Sequence, residues 1–136
     1  MPPSRTPGSA ELLQRYAGLA PELRETLLRT RDVFDNPAQN FWVIQVGLSD
    51  KSYGAQRLVD KAKEAGLEVW LQDRLYVDRT SGAAVTTWVV YAGRFADRSS
   101  AEQNLQKWPA SLKTYKPLPR SLVRLRTEAY PERVPS

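Results

Sequence analysis

The sequence predicts an α+β domain in which a duplicated β-α-β unit closes into one sheet with its helices on a single face, preceded by a helical extension. Three observations predict it. Phe41-Trp42-Val43-Ile44-Gln45-Val46-Gly47 returns 46 residues later as Thr87-Trp88-Val89-Val90-Tyr91-Ala92-Gly93, so Trp42 answers Trp88, Val43 answers Val89, Gly47 answers Gly93 and Ala55 answers Ala101. Each copy is a short strand-like run closed by glycine, followed by a polar stretch that opens an amphipathic segment. Upstream of both copies, leucines recur at helical spacing over residues 10–36.

Residues 1–9 hold three prolines and a Gly-Ser, and read as a disordered lead-in. Ser9 is suited to cap a helix from Ala10 to Leu19, striped by Leu12, Leu13, Tyr16 and Leu19. Gly18 and Pro21 interrupt it, and Pro21 suits the first turn of a second helix running to about Phe34. Residues 10–36 are therefore a helical hairpin or bent helix outside the duplicated module, which spans 40–122. Within the module, 41–48 is the first strand, and a helix follows over 53–65 with Ala55, Leu58, Val59 and Ala62 on one side. Gly66 stops that helix. The second strand begins at Leu67 and runs to Leu71, with room to extend through Val77; Arg79-Thr80-Ser81-Gly82 turns the chain, and 84–94 is the third strand. Asp97-Arg98-Ser99-Ser100 opens the second helix, Pro109 closes it, and 111–116 is the fourth strand. Residues 123–136, with Pro131 and Pro135, read as a loose basic tail.

The chain has 136 residues, a net charge of +5 and a pI near 9.7, which favours acidic partners: nucleic acid, anionic lipid or cell-wall polymer. The excess sits at the C-terminal end, where residues 101–136 carry seven bases against three acids. There is no cysteine and no histidine. Thiol nucleophiles, disulfides, Cys/His zinc sites and histidine triads are thereby excluded. Asp60 and Glu64 lie on the polar side of a helix and are ordinary helix surface. We expect no enzyme, no cofactor and no metal. No stretch reaches the roughly 18–20 apolar residues of a membrane span, and the N-terminus lacks a signal-peptide core, so no targeting signal is visible.

Alternation along the strands sorts the two faces of the sheet. Trp42, Ile44, Val46, Leu67, Val69, Leu71, Trp88, Val90, Ala92, Leu112 and Thr114 point toward the helices. The outward set is Val43, Gln45, Trp70, Gln72, Val89, Tyr91, Lys113 and Tyr115, with Thr87 and Gly47. Aromatic rings with amide and ammonium donors between them suit a flat ligand with polar edges, a sugar or a nucleobase. The competing reading is that residues 10–36 fold over this face and make Trp70 and Tyr91 ordinary core.

Trp42-Val43-Ile44-Gln45-Val46-Gly47 with Ala55, then Trp88-Val89-Val90-Tyr91-Ala92-Gly93-Arg94-Phe95 with Ala101-Glu102, resembles the two halves of a SPOR (sporulation-related repeat) domain. Trp108-Pro109-Ala110-Ser111-Leu112 followed by Lys116-Pro117-Leu118 is similar to the end of that domain in DamX-type cell-division proteins. The resemblance implies a βαββαβ, ferredoxin- or RNP-like four-stranded antiparallel sheet. It implies non-catalytic binding of bacterial peptidoglycan, preferentially peptide-stripped glycan strands at the division septum, and hence a periplasmic location as a fragment of an anchored or exported protein. The implied glycan-binding residues are Gln45, Trp70, Val89, Tyr91 and Tyr115, with Thr87 a departure at a position that can be aromatic in the family.

An RNA-binding module of the RRM type shares the topology and the face. Trp88 to Phe95 lacks the basic-Gly-aromatic-Gly-aromatic run expected there, which argues against nucleic acid. The leucine-rich segment 10–36 offers a surface for a protein partner or for self-association.

Overall fold

The computed structural model describes residues 14, 16–77 and 80–127. Its elements in chain order are α1 (Pro21–Phe34), β1 (Trp42–Ser49), α2 (Ser52–Glu64), β2 (Val69–Val77), β3 (Ala84–Phe95), α3 (Arg98–Gln106), α4 (Ala110–Lys113), β4 (Leu118–Ser121) and α5 (Leu122–Thr127). The four strands form one antiparallel sheet in the order β2-β3-β1-β4. This is the βαββαβ arrangement the duplication predicts, with the two repeat strands β1 and β3 paired at its centre.

Local chemistry explains the elements. Pro21 occupies the first turn of α1, where its missing N–H costs nothing. After α2, Gly66 takes φ +78° while its N–H reaches the Lys63 carbonyl and the Leu67 N–H reaches the Ala62 carbonyl. That pair of bonds is a Schellman stop. Asp97 caps α3 by accepting the Ser100 N–H at 2.8 Å. Half of the expected lead helix at 10–19 lies outside the described residues, as does the whole lead-in before it; residues 16–18 form a turn.

The fourth strand is a correction. Residues 111–116 are not a strand: Ala110–Lys113 is a helical turn that sends Leu112 into the core beside Trp108, and the strand is Leu118–Ser121. An edge strand tolerates Pro119, which has no N–H to contribute to a ladder. The expected loose tail also begins differently, since residues 122–127 are the helix α5, with Leu122 and Leu125 fully buried.

Two hydrophobic layers sandwich the sheet. On one side Ile44, Val46, Val69, Leu71, Val90 and Ala92 meet Leu58, Val59 and Ala62 of α2 and Ala101 of α3. On the other, Val43, Trp70, Val89 and Tyr91 meet Phe34, Phe41, Leu122 and Leu125. The sheet face expected to be open is therefore covered over its aromatic half. α1 achieves part of this by crossing the β2 edge: Leu23 and Leu27 join the first layer, and Phe34 joins the second. Along the way the Thr30 hydroxyl accepts the Leu71 N–H at 2.9 Å, and Arg29 donates to the Val69 carbonyl. Edge groups that would invite another strand are thus satisfied within the chain.

A buried polar cluster fixes the N-terminal segment to β2. The Tyr16 hydroxyl donates to both oxygens of Asp73 at 3.0 Å and accepts from Arg31 Nε at 3.0 Å. Arg31 Nη2 lies 3.4 Å from Asp73 Oδ1. Burial and then the Asp73 charge push the Tyr16 phenol well above its ordinary value, so it stays protonated and donates.

Candidate functional site

Five residues were expected to present a glycan-binding row, and the structure separates them. Trp70, Val89 and Tyr91 share the outer face, as alternation predicts, yet each is 0% exposed. The Trp70 ring lies 5.5 Å from Phe34 and 5.8 Å from Phe41, and Phe34 lies 5.8 Å from Tyr91. Trp70 Nε1 donates to the Gly93 carbonyl, and the Tyr91 hydroxyl donates to Gln72 Oε1 at 3.0 Å. Their rings and polar atoms are satisfied internally, as in a core. The physical reason is the pair of covers: the end of α1 brings Phe34, and α5 brings Leu122 and Leu125.

The α5 cover is held by Arg126. Its guanidinium donates to the carbonyls of Phe34 (2.8 Å), Asn36 (3.0 Å) and Gln39 (2.7 Å) and to Asn40 Oδ1 (2.9 Å). Three of these acceptors are backbone carbonyls at or just beyond the end of α1, where a cation is also favoured by the helix dipole.

Tyr115 is displaced by the change in β4. It stands in the turn after α4, beside α2 on the helix side of the sheet, 38% exposed, with its hydroxyl 3.1 Å from Lys61 Nζ. It packs beside Gly47, where an added Cβ would meet Leu58 at 3.3 Å and the Tyr115 Cβ at 3.5 Å. Lys113 is likewise off the sheet and donates to the Gln106 carbonyl.

Gln45 remains where it was expected, half-buried on the outer face opposite Tyr91. Its Oε1 accepts from Arg120 Nη1 at 2.9 Å. Around it lies the uncovered half of the face. A bulge between Gln45 and Gly47 puts Val46 in the helix-side core and turns Gly47 toward Leu58, so the next outward residue is Leu48, 55% exposed. Leu118, 44% exposed, pairs with Gln45, and Arg120 pairs with Val43. Leu48, Leu118 and Arg120 were missed by sequence reasoning. Leu118 and Arg120 carried no usable signal, because the four residues of β4 are too few to show a period. Leu48 carried none, because a bulge leaves no trace in simple alternation.

The resulting strip has an amide, a guanidinium and two exposed apolar side chains. It can hydrogen-bond a polar ring edge and cover an apolar ring face. It holds no nucleophile with an adjacent base, and among the described residues no group of His, Cys, Asp and Glu could hold a metal ion. Among the same residues, no helix is long and apolar enough to cross a membrane.

Comparison with known proteins gives a family match. The family model of the SPOR domain matches residues 38–118. It begins in the loop before β1 and ends on the first residue of β4, so α1 and α5 lie outside it. Among solved structures, a crystal structure of a Burkholderia pseudomallei protein described as exported matches with a TM-score of 0.42 and 23% sequence identity. The match covers 63% of this chain and 16% of that one. No curated protein matches the chain. Because the matched stretch takes in more than half of the chain and both copies of its internal repeat, this chain belongs to the SPOR domain family, whose members bind peptidoglycan.

Proposed function

We propose that this chain binds peptidoglycan glycan strands without catalysis, preferring strands stripped of their stem peptides, as at a division septum. The observation that carries the reading is the family match over both halves of the repeat. The site is the uncovered half of the outer sheet face: Gln45 as hydrogen-bonding centre and Leu48 and Leu118 as apolar contacts, while Tyr115, beside Leu58 and Lys61 of α2, lies on the helix side and outside it. Trp70, Val89 and Tyr91 support this surface from within the second hydrophobic layer. A peptidoglycan ligand requires the domain to work outside the cytoplasmic membrane, as part of an anchored or exported protein.

The RNA reading needs aromatic rings exposed on the sheet for base stacking. Trp70 and Tyr91 are buried, so it loses its platform. The discriminating experiment is co-sedimentation with peptidoglycan sacculi, intact or amidase-treated, at low and high salt. Enrichment on treated sacculi that persists at high salt supports the proposal. No binding, or binding abolished by salt as nucleic-acid binding would be, refutes it.

A further inference from the structure

We infer that a pocket beside α3, apart from the strip proposed for glycan, docks an acidic segment of a protein partner, seating one apolar side chain of that segment between two lysines. The pocket lies between α3 and the stretch that joins α4 to β4, with a volume of about 480 Å³. Glu102, Leu105 and Gln106 line it from α3, and Lys113, Lys116 and Pro117 line it from the other side. Leu105 and Pro117 are half-buried and supply its apolar part. A space of this size takes a side chain or a short peptide, not a folded body.

Charge decides what the pocket can take. Residues 101–117 hold three lysines, Lys107, Lys113 and Lys116, against one acid, Glu102. That acid is already paired, since Arg98 Nε donates to it at 2.8 Å from one helical turn earlier. Lys113 spends one of its three ammonium donors on the Gln106 carbonyl at 2.9 Å. Lys116 has no side-chain partner among the described residues. Its backbone is also strained: at φ +55° it is the one non-glycine residue with positive φ among those described. The turn after α4 imposes that conformation, because the Lys116 N–H returns to the Lys113 carbonyl at 3.1 Å. Glycine would adopt it freely, whereas lysine adopts it at a cost and sets an unpaired ammonium on the pocket, the kind of outlier that collects at binding sites. An acidic peptide carrying an apolar side chain matches both properties. Its carboxylates meet Lys113 and Lys116, and its side chain covers Leu105 and Pro117. A neutral sugar has no use for two ammonium groups, and a nucleic acid requires exposed rings beside the cations, which this lining lacks.

The test titrates the full, isotope-labelled chain by NMR with end-blocked tetrapeptides. One holds a leucine and three glutamates, one has glutamines in place of the glutamates, and one has serine in place of the leucine. The acidic leucine peptide should shift the amide signals of residues 102–106 and 113–116. It should bind about tenfold more tightly than the glutamine peptide, the size expected of charge-assisted contacts, and more tightly than the serine peptide. Lys116→Gln should lose most of the preference for the acidic peptide. Lys116→Gly should lose it too while holding or raising the melting temperature, since glycine relieves the strain. Equal binding of the acidic and glutamine peptides, or shifts confined to residues away from the pocket, overturns the inference, and neither comparison needs a variant to fold. A preference retained by both Lys116 variants overturns it as well. Tighter binding of a free peptidoglycan stem peptide than of the acidic peptide does the same, because the pocket would then read the cell wall and not a protein. No probe contains a glycan, so failure here is distinct from failure of the sacculus experiment above.

Discussion

Replacing Asp73 by alanine tests the claim that the N-terminal segment is an integral part of this fold. The carboxylate is 1% exposed, accepts from the Tyr16 hydroxyl through both oxygens, and faces Arg31, itself 6% exposed. Removing one member of a buried ion pair costs about 3–5 kcal/mol, because the surviving charge keeps its desolvation penalty. The Tyr16 hydroxyl loses its acceptor too, a cost of about 1–3 kcal/mol that overlaps with the first rather than adding to it. We therefore expect about 3–5 kcal/mol, a large part of the roughly 5–15 kcal/mol that holds a domain together. With urea slopes of about 1–3 kcal/mol/M, the unfolding midpoint should drop by roughly 2 M. The double variant Asp73→Leu with Arg31→Met should recover much of the loss, since apolar replacement of both partners removes the stranded charge. A loss under about 1 kcal/mol for Asp73→Ala would refute the reasoning and return residue 16 and α1 to the status of an appendage.

Gln45→Ala should weaken binding to amidase-treated sacculi while leaving the urea midpoint within experimental error. Tyr91→Ala, on the same face, should instead cost about 3–5 kcal/mol as a large buried ring is lost, and the pair of denaturation curves checks the contrast. Gly93→Ala should destabilise by at least about 1–2 kcal/mol from its φ of +87° alone, with further cost from a Cβ placed 2.3 Å from the Phe95 ring; thermal melting reads it. For Asp97, bonds from the Ser100 N–H and hydroxyl hold its carboxyl below the ordinary 3.8, so the folded state binds its proton less readily than the unfolded state does. Its contribution is present above that ordinary value and lost as pH falls through the folded one, so Asp97→Asn should flatten the acid end of the stability profile. Tyr16 behaves oppositely: its raised phenol contributes fully below pH 10.0 and progressively less as pH climbs. Tyr16→Phe should lose that alkaline decline, measured as melting temperature against pH.

The parts of the fold legible in the sequence are those with strong period or unambiguous punctuation. The span of α1 from Pro21 to Phe34 follows from a first-turn proline and apolar residues at 23, 27 and 34. The inward and outward sets of β2 and β3 follow from alternation, and survive in the two core layers. The edge was not legible. Leu112 and Thr114 alternate with Lys113 and Tyr115 well enough to suggest a strand, but Leu112 is drawn inward beside Trp108 by a helical turn. The four residues of β4 are too few to show a period, and the helical spacing of Leu122 and Leu125 is hidden in a stretch whose composition reads as tail. The proposed site was legible where it depends on a strand's face, since Gln45 lies on the outer face that alternation gives it. It was not where it depends on tertiary cover, because nothing local to Trp70 or Tyr91 records that Phe34, 36 residues upstream of Trp70, will lie on top of them.

That cover decides which half of the face can serve a ligand. Freeing the aromatic half requires at least Leu122 and Leu125 to leave full burial, at about 1.5–3 kcal/mol each, and the four contacts of Arg126 to be given up. The Phe34 and Phe41 rings would then lose the partners that pack them against Trp70, adding a similar amount. The sum approaches the stability of a whole domain. A few sugar rings stacking on the exposed aromatics would have to recover all of it before any net affinity appeared. The Gln45 half demands nothing of the kind: Leu48 and Leu118 are exposed before a ligand arrives, and the Gln45–Arg120 bond already orients both polar groups. Since α1 and α5 both lie outside the stretch matched by the family model, this asymmetry is supplied by the flanking helices, and under the function proposed it moves recognition from the rings the repeat displays to the edge formed by β1 and β4.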